Sequence, residues 1–235
     1  MATLDKLVVI VGTTASGKSA EAMKIAQQYG GEIICADSRT IYKGLDIGTS
    51  KPSKQDQAKV KHHLLDIIEP DQKFNVAQFQ KLANATIKDI QKRGKLPVMV
   101  GGTGLYVDAV IYGYDFDKKS RQQLRPNTLV LGLDLPTDQL KQRIEARVDQ
   151  MFAQGLEQEV KSLSNTYGWQ AEAMKGIGYR EWQAYFNGSE ELIKMKELIV
   201  KNTWQYARRQ RTWFRRSTDI HWQIVNEQPS ATIEG

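Results

Sequence analysis

The stretch Leu7-Val8-Val9-Ile10-Val11-Gly12-Thr13-Thr14-Ala15-Ser16-Gly17-Lys18-Ser19 decides the fold. Its opening residues are an apolar, β-branched run of the kind that forms a buried strand. Gly12 to Ser19 then fit G-x-x-x-x-G-K-[ST], at the place where a strand turns through glycines into a helix. Glycines let the backbone curl so that successive N–H groups point inward, and the N-terminus of the next helix adds partial positive charge. Lys18 supplies a full charge and Ser19 a hydroxyl for a phosphate-bound Mg²⁺. Gly12, Thr14, Ala15, Ser16, Gly17, Lys18 and Ser19 therefore read as a cradle for a polyphosphate, with no particular polyphosphate specified.

Outward from this loop, strand and helix signals alternate. The expected fold class is α/β, a P-loop NTPase-like parallel sheet flanked by helices, with a helical C-terminal third. Strands are predicted at 6–11, 32–36, 64–68, 96–100, 128–133 and 220–225. A first helix should run from Gly17 to about Tyr29 and stop at Gly30-Gly31. A second follows Asn75, an N-cap residue with Gln78 three positions on, and Phe74 and Phe79 are placed for a hydrophobic staple. A third follows Pro136-Thr137, with Leu140, Ile144, Val148, Met151 and Phe152 on one face. Residues 157–216 read as helical, with breaks near Gly168, Gly176-Ile177-Gly178 and Asn187-Gly188, and the tail after Gln228 reads as frayed.

A chain of 235 residues, 40% of them hydrophobic, suffices for one α/β domain, and a single domain over 1–235 is expected. No run approaches the roughly 18 apolar residues of a membrane span. The N-terminus leads straight into the first strand without space for a signal peptide, so a cytoplasmic protein is expected. The lone cysteine, Cys35, lies in an apolar run and reads as an inert core thiol, which excludes an internal disulfide. His62, His63 and His221 show no metal-ligand spacing. The net charge of +6 fits an anionic partner. Much of the excess is local: Arg208, Arg209, Arg211, Arg215 and Arg216 crowd together near the C-terminus.

Several constellations carry possible chemistry. Asp37 directly follows the second strand, and in an open parallel sheet ligands sit beyond the carboxyl ends of strands. A carboxylate there either holds Mg²⁺ through water, accepts a proton from a nucleophile, or merely shapes an Asp/Ser turn. Gly101-Gly102-Thr103-Gly104 follows the fourth strand on the same rim, where Thr103 offers a hydroxyl to a ligand or caps a helix. Arg143 and Arg147 share a helix face, suited to clamping polyphosphate or to salt links with Glu145 and Asp149. On a helical wheel, Trp204, Arg208, Arg211 and Arg215 form one stripe, facing a groove or solvent. Tyr206 and Trp213 form the opposite one, expected to pack on the sheet. Arginines beside an exposed tryptophan suit RNA phosphates and stacked bases.

Taken together, the motifs G-T-T-A-S-G-K-S, A-D-S-R-T-I-Y-K-G-L-D-I-G-T-S-K-P, H-H-L-L-D, V-G-G-T-G-L-Y, G-L-D-L-P, R-I-E-A-R-V-D-Q-M, G-L-E-Q-E-V, G-I-G-Y-R-E and A-R-R-Q-R-T-W-F-R resemble the tRNA dimethylallyltransferase family, and they span nearly the whole chain. The resemblance implies transfer of an isopentenyl group from dimethylallyl diphosphate to the exocyclic amine of the adenosine 3′ of the anticodon. It implies that the P-loop, with Arg143, Arg147 and Arg208, binds the donor's diphosphate, with Mg²⁺ at Ser19. Asp37 would be the general base and Thr103 would assist at the reaction centre. Asp37, Ser38, Arg39, Thr40, Thr103, Arg209, Arg211 and Arg215 would meet tRNA. A monomer without membrane contact is expected.

The chain departs from that family in three ways. Only Asp115 to Thr128 bridge Tyr114 and Leu129, where the family carries a helical insertion that grips the anticodon stem. Trp204 stands where Arg is usual. Thr13 replaces a usual Pro, and Thr40 a common Gln. Three rivals therefore stand beside the tRNA enzyme: an adenylate isopentenyltransferase acting on free AMP, ADP or ATP, a small-molecule or nucleotide P-loop kinase, and a non-catalytic RNA-binding relic. The short linker favours the first rival, while the arginine-rich helix favours RNA.

Overall fold

The structure, a computed structural model, describes residues 5–118, 120 and 122–225. The start of the N-terminal segment and the tail after Gln228 lie outside the described residues. Strands β1 (Leu7–Gly12), β2 (Glu32–Cys35), β3 (His62–His63), β4 (Pro97–Gly101), β5 (Thr128–Asp134) and β6 (Ile220–Ile224) form one sheet in the order β3-β2-β4-β1-β5-β6. Every pairing is parallel. Such a sheet needs cover on both faces, which is why β1 is apolar without a polar alternate. Leu7, Val9 and Val11 point one way, into a core with Ile34, Met99, Phe79 and Val107. Ile10 points the other way, against Ile33, Val98, Ala22 and Ala26.

The helices are α1 (Lys18–Gln28), α2 (Lys54–Lys59), α3 (Val76–Lys92), α4 (Gly104–Ile111), α5 (Thr137–Ala153), α6 (Leu156–Tyr167), α7 (Trp182–Phe186) and α8 (Leu192–Phe214). At the start of α3 the Asn75 side chain accepts from Gln78 N–H, and the Gln78 side chain accepts from Asn75 N–H, both at 2.9 Å. Such a cap contributes about 1 kcal/mol. The flanking Phe74 and Phe79 both meet the ring of Tyr106 on α4. The short α2, capped by Ser53, has no counterpart among the predicted elements. The C-terminal helices bury a second core around Trp182, whose ring stacks on Phe152 and Phe186 at 5.3 and 5.6 Å.

The third predicted strand is displaced. Pairing with β2 is confined to His62–His63, and 64–68 leaves the sheet because Leu64 and Asp66 adopt φ of 64° and 54°. The segment bonds instead to the loop before it, Ile67 N–H to Ile41 O at 2.8 Å and Lys43 N–H to Ile68 O at 3.0 Å. Apolar content marked this stretch as a strand, but its backbone serves the loop at 40–43. Among the described residues between Tyr114 and β5 there is no helix, only an isolated bridge from Asp115 to Ser120.

β1 lies between β4 and β5, so the chain leaves the sheet centre in opposite directions on its two sides. A crevice opens beyond strand carboxyl ends at such a switch point. β1 runs out at Gly12, β2 at Cys35 and β4 at Gly101, which delivers three loops to that crevice.

Candidate active site

The phosphate loop takes its shape from its own backbone. Gly17, at φ 89°, precedes α1, and Ala15 holds φ 61°, a left-handed conformation that costs a non-glycine residue energy. Lys18 curls back so that Nζ donates to Thr13 O at 2.9 Å. Burial, and secondarily the charge of Arg147, bring its ammonium down to about 8, with Asp37 pulling the other way. Ser19 is exposed on the first turn of α1.

Asp37 stands on the same rim. Its Oδ1 accepts Arg39 N–H at 2.7 Å and Thr40 N–H at 3.4 Å, so it does shape a turn. That turn uses one carboxylate oxygen and leaves the other for a ligand. Thr103 precedes α4 but does not cap it. Its hydroxyl accepts Ser38 N–H at 3.1 Å and so ties the Asp37 loop to the Gly102 loop. This approach requires glycine at 101, where a Cβ would lie 2.0 Å from Ala36 O. Arg39 donates to Glu172 O at 3.0 Å, and the Thr40 hydroxyl is buried without a partner.

The two arginines of α5 face the loop and not solvent. Arg147 donates to Thr14 Oγ1 and Ser50 Oγ, each at 2.8 Å, and to Thr49 O at 3.3 Å. Arg143 Nη1 lies beside Gly17. Asp149, which the salt-link alternative required, pairs with Lys196.

The terminal helix is turned differently from the wheel reading. Gln210 is buried and accepts Thr14 N–H at 2.7 Å while donating to Gly102 O at 2.9 Å, bridging two of the rim loops. Tyr206 faces the site, not the sheet: its hydroxyl lies by Thr103 and Gln210. Burial first, then the Asp37 charge, pushes its pKa up to about 12. Sequence reasoning missed both. The usable signal was the spacing Ile199, Thr203, Tyr206, Gln210, a helical stripe masked by the more conspicuous arginines.

The predicted arginine stripe divides. Arg211 donates to Asp134 Oδ1 at 2.8 Å and to Leu135 O at 2.7 Å, and Arg215 donates to Asp134 Oδ2 at 3.0 Å. Arg211 is largely taken up by this carboxylate at the end of β5, whereas Arg215 keeps 62% of its side chain exposed beside it. Arg208 lies on the outer surface of α8 with Arg216, away from the phosphate loop, since it is two positions from both Tyr206 and Gln210. Trp213 packs on the core of the sheet as expected, its Nε1 donating to Asp108 at 3.0 Å. Trp204 packs with Leu140 and Ile144, under Lys141 at 5.4 Å.

Two clefts result, and they share Thr14, Asp37, Thr49, Arg147 and Tyr206. The smaller, about 310 Å³, has apolar walls from Val148, Met151 and Ile199 and cations from Arg39, Arg180 and Arg209. The larger, about 1120 Å³, runs past Lys18 and Ser19 to Thr40. A phosphate cradle, a carboxylate and a tyrosine thus meet where two openings join. This arrangement can hold an anionic leaving group beside a group that takes a proton. Cys35 stays out of this chemistry, since burial pushes its thiol pKa far up.

Known proteins match this chain in sequence and in fold. The model of the IPP transferase family fits in two stretches, residues 40–128 and 115–217, which overlap in the segment between Tyr114 and β5. The tRNA dimethylallyltransferase of Pelotomaculum thermopropionicum is 36% identical over 283 aligned positions, covering 93% of this chain and 90% of that protein. That of Anoxybacillus flavithermus is 37% identical, with 93% and 90% covered. Among solved structures, the tRNA isopentenylpyrophosphate transferase of Bacillus halodurans superposes with a TM-score of 0.86 at 33% identity, over 94% of this chain and 90% of that one. With sequence and overall fold in agreement, the chain belongs to the IPP transferase family.

Proposed function

We propose that this protein transfers a dimethylallyl group from dimethylallyl diphosphate to the exocyclic amine of the adenosine 3′ of the anticodon in tRNA. The observation that carries the reading is the meeting of the phosphate loop with Asp37 and Thr103 at one crevice, in a chain of this family. The adenosine nitrogen attacks the allylic C1, the C1–O bond breaks, and pyrophosphate departs with the electron pair. Asp37 takes the amine proton through its open oxygen, and Thr103 with Tyr206 orients the acceptor. Lys18, the loop N–H groups, Arg143 and Arg147 meet the charge that grows on the leaving group, which lowers the barrier.

Mg²⁺ suits this site. No cluster of three or more His, Cys, Asp or Glu stands ready for a metal among the described residues. Mg²⁺ normally keeps waters and binds through one or two protein oxygens plus substrate phosphates. The exposed Ser19 hydroxyl beside the cradle meets that need. When bound, the ion would neutralise charge on the diphosphate.

We further read the chain as one transferase domain without the family's central insertion, acting as a monomer in the cytoplasm, where its RNA is. Two findings support the missing insertion: the family match is in two pieces that overlap at 115–128, and the alignments run over more positions than the chain has residues. The same shortening favours free adenylate as the rival acceptor. The deciding experiment supplies labelled dimethylallyl diphosphate with equal concentrations of unmodified tRNA and AMP. Label in tRNA supports the proposal, label chiefly in AMP replaces it with the rival, and label in neither rejects both.

A further inference from the structure

We infer that Glu159, on α6 and outside both clefts, is a positioning residue for the donor diphosphate. The inference rests on the reading that the phosphate loop holds that diphosphate. Glu159 Oε2 accepts the N–H groups of Asp46 and Ile47 at 3.0 and 2.7 Å, and Oε1 accepts Gly48 N–H at 3.1 Å and the Tyr179 hydroxyl at 2.7 Å. One carboxylate thus gathers three consecutive backbone donors. Ionised acceptors make such bonds about twice as strong as neutral ones. Gly48 lies flat on the Tyr179 ring, where a Cβ would come within 2.6 Å of it.

The next two residues transmit that anchorage. Thr49 O and Ser50 Oγ accept from Arg147, whose remaining nitrogen reaches Thr14 of the phosphate loop. Ser50 holds φ 50°, a left-handed conformation that persists only where surrounding contacts impose it. Glu159 supplies that imposition from one side and Arg147 from the other. The segment from Asp46 to Ser50 is therefore a rigid strut between α6 and the arginine that clamps the diphosphate. Loss of Glu159 frees the strut, and Arg147 loses two of its three acceptors in their set positions.

The test is a double-mutant cycle between Glu159 and Arg147, which do not bond to each other. The readout is the affinity of a non-reactive thiolodiphosphate analogue of dimethylallyl diphosphate. Glu159→Gln keeps one accepting oxygen and opposes the Gly48 N–H with an amide N–H. It should weaken analogue binding about fivefold to twentyfold, raise KM for the donor more than it lowers kcat, and leave tRNA affinity unchanged. Arg147→Ala should weaken binding by as much or more, and the double variant should bind no worse than Arg147→Ala alone, since coupled residues are not additive. Ser50→Ala, which removes one Arg147 acceptor without touching the anchor, should weaken binding severalfold and keep the fold should Glu159→Gln lose it. Glu159→Asp should restore part of the affinity, because it keeps both oxygens.

Multiplying losses in the cycle, or folded Glu159→Gln and Ser50→Ala proteins with wild-type analogue affinity, would overturn the inference and leave the proposed function standing. Wild type failing to bind the analogue at all would overturn the reading of the phosphate loop, and this inference with it.

Discussion

Donor binding should weaken as the solution becomes alkaline, because the lysine of the phosphate loop is close to losing its proton. Burial and Arg147 lower Lys18 to about 8, whereas a bound diphosphate beside it would hold the proton well beyond that value. Binding therefore takes up a proton whenever the free protein has lost it. At pH 7 the ammonium is charged in nearly all of the free protein, so Lys18 takes little from affinity there. Above that, affinity should fall about twofold by pH 8 and about tenfold by pH 9, about 1.4 kcal/mol, by one-proton linkage. The thiolodiphosphate analogue is a fit probe, since the second ionisation of such a phosphate is near pH 6 and is complete across this range. Titration calorimetry at pH 9, in two buffers of different ionisation enthalpy, should report uptake of about 0.9 proton per analogue bound. In Lys18→Met, affinity should be lower at neutral pH and lose its alkaline slope. Flat wild-type affinity from pH 7 to 9, or an unchanged slope in Lys18→Met, would refute the reasoning.

Asp37→Asn should leave analogue affinity nearly intact and cut turnover by about 10²–10⁴-fold, the usual effect of losing a general base; equal turnover in single-turnover assays would reject that role. Arg209→Gln should lower tRNA affinity and reduce the log–log salt slope by about one contact, whereas Arg211→Gln, which leaves Asp134 short of a partner, should chiefly lower the melting temperature. The opposite pattern in filter binding and thermal melts would reassign the two arginines. Glu32, almost fully buried at the start of β2 and bonded to Arg93, Lys95 and His63, is held far below the ordinary carboxylate range, chiefly by Arg93. Its contribution should be complete above the ordinary carboxylate pKa and fade as pH falls below it. Glu32→Gln should cost about 3 kcal/mol in urea unfolding at pH 7 and much less near pH 2.

Local chemistry wrote much of this fold into the sequence. The Leu7–Val11 run, the Asn75 capping box and the glycines at 168, 176 and 188 all act within a few residues of themselves, and the structure has them where local rules put them. The stretch at 64–68 misled because its apolar residues serve a loop, Ile67 and Ile68 packing on the second core and Leu64 on the first, a use that local pattern does not distinguish from a strand. Asp37, Thr103 and Lys18 were legible because motif and strand end coincide, while the spacing of Arg143 and Arg147 gave their shared face without saying what it meets. The orientation of α8 was not, since it depends on Asp134, 77 residues upstream of Arg211, and on Gln210 meeting Gly102, 108 residues away. A helical wheel separates faces, but only tertiary partners decide which face turns inward.

Gln210 has a consequence for how the molecule is made. Its side chain anchors the N–H of Thr14, 196 residues earlier, so the phosphate loop lacks its fastening until synthesis has passed residue 210. At ribosomal rates of about 5–20 residues per second, the loop waits about 10–40 s for that fastening. Within that interval β2 and then β4 are made and become available to pair, but the loop that β1 delivers still lacks the Gln210 side chain beside it. Diphosphate capture thus waits on α8, and a chain cut short before Gln210 would hold β1 to β5 without the side chain that fastens the phosphate loop.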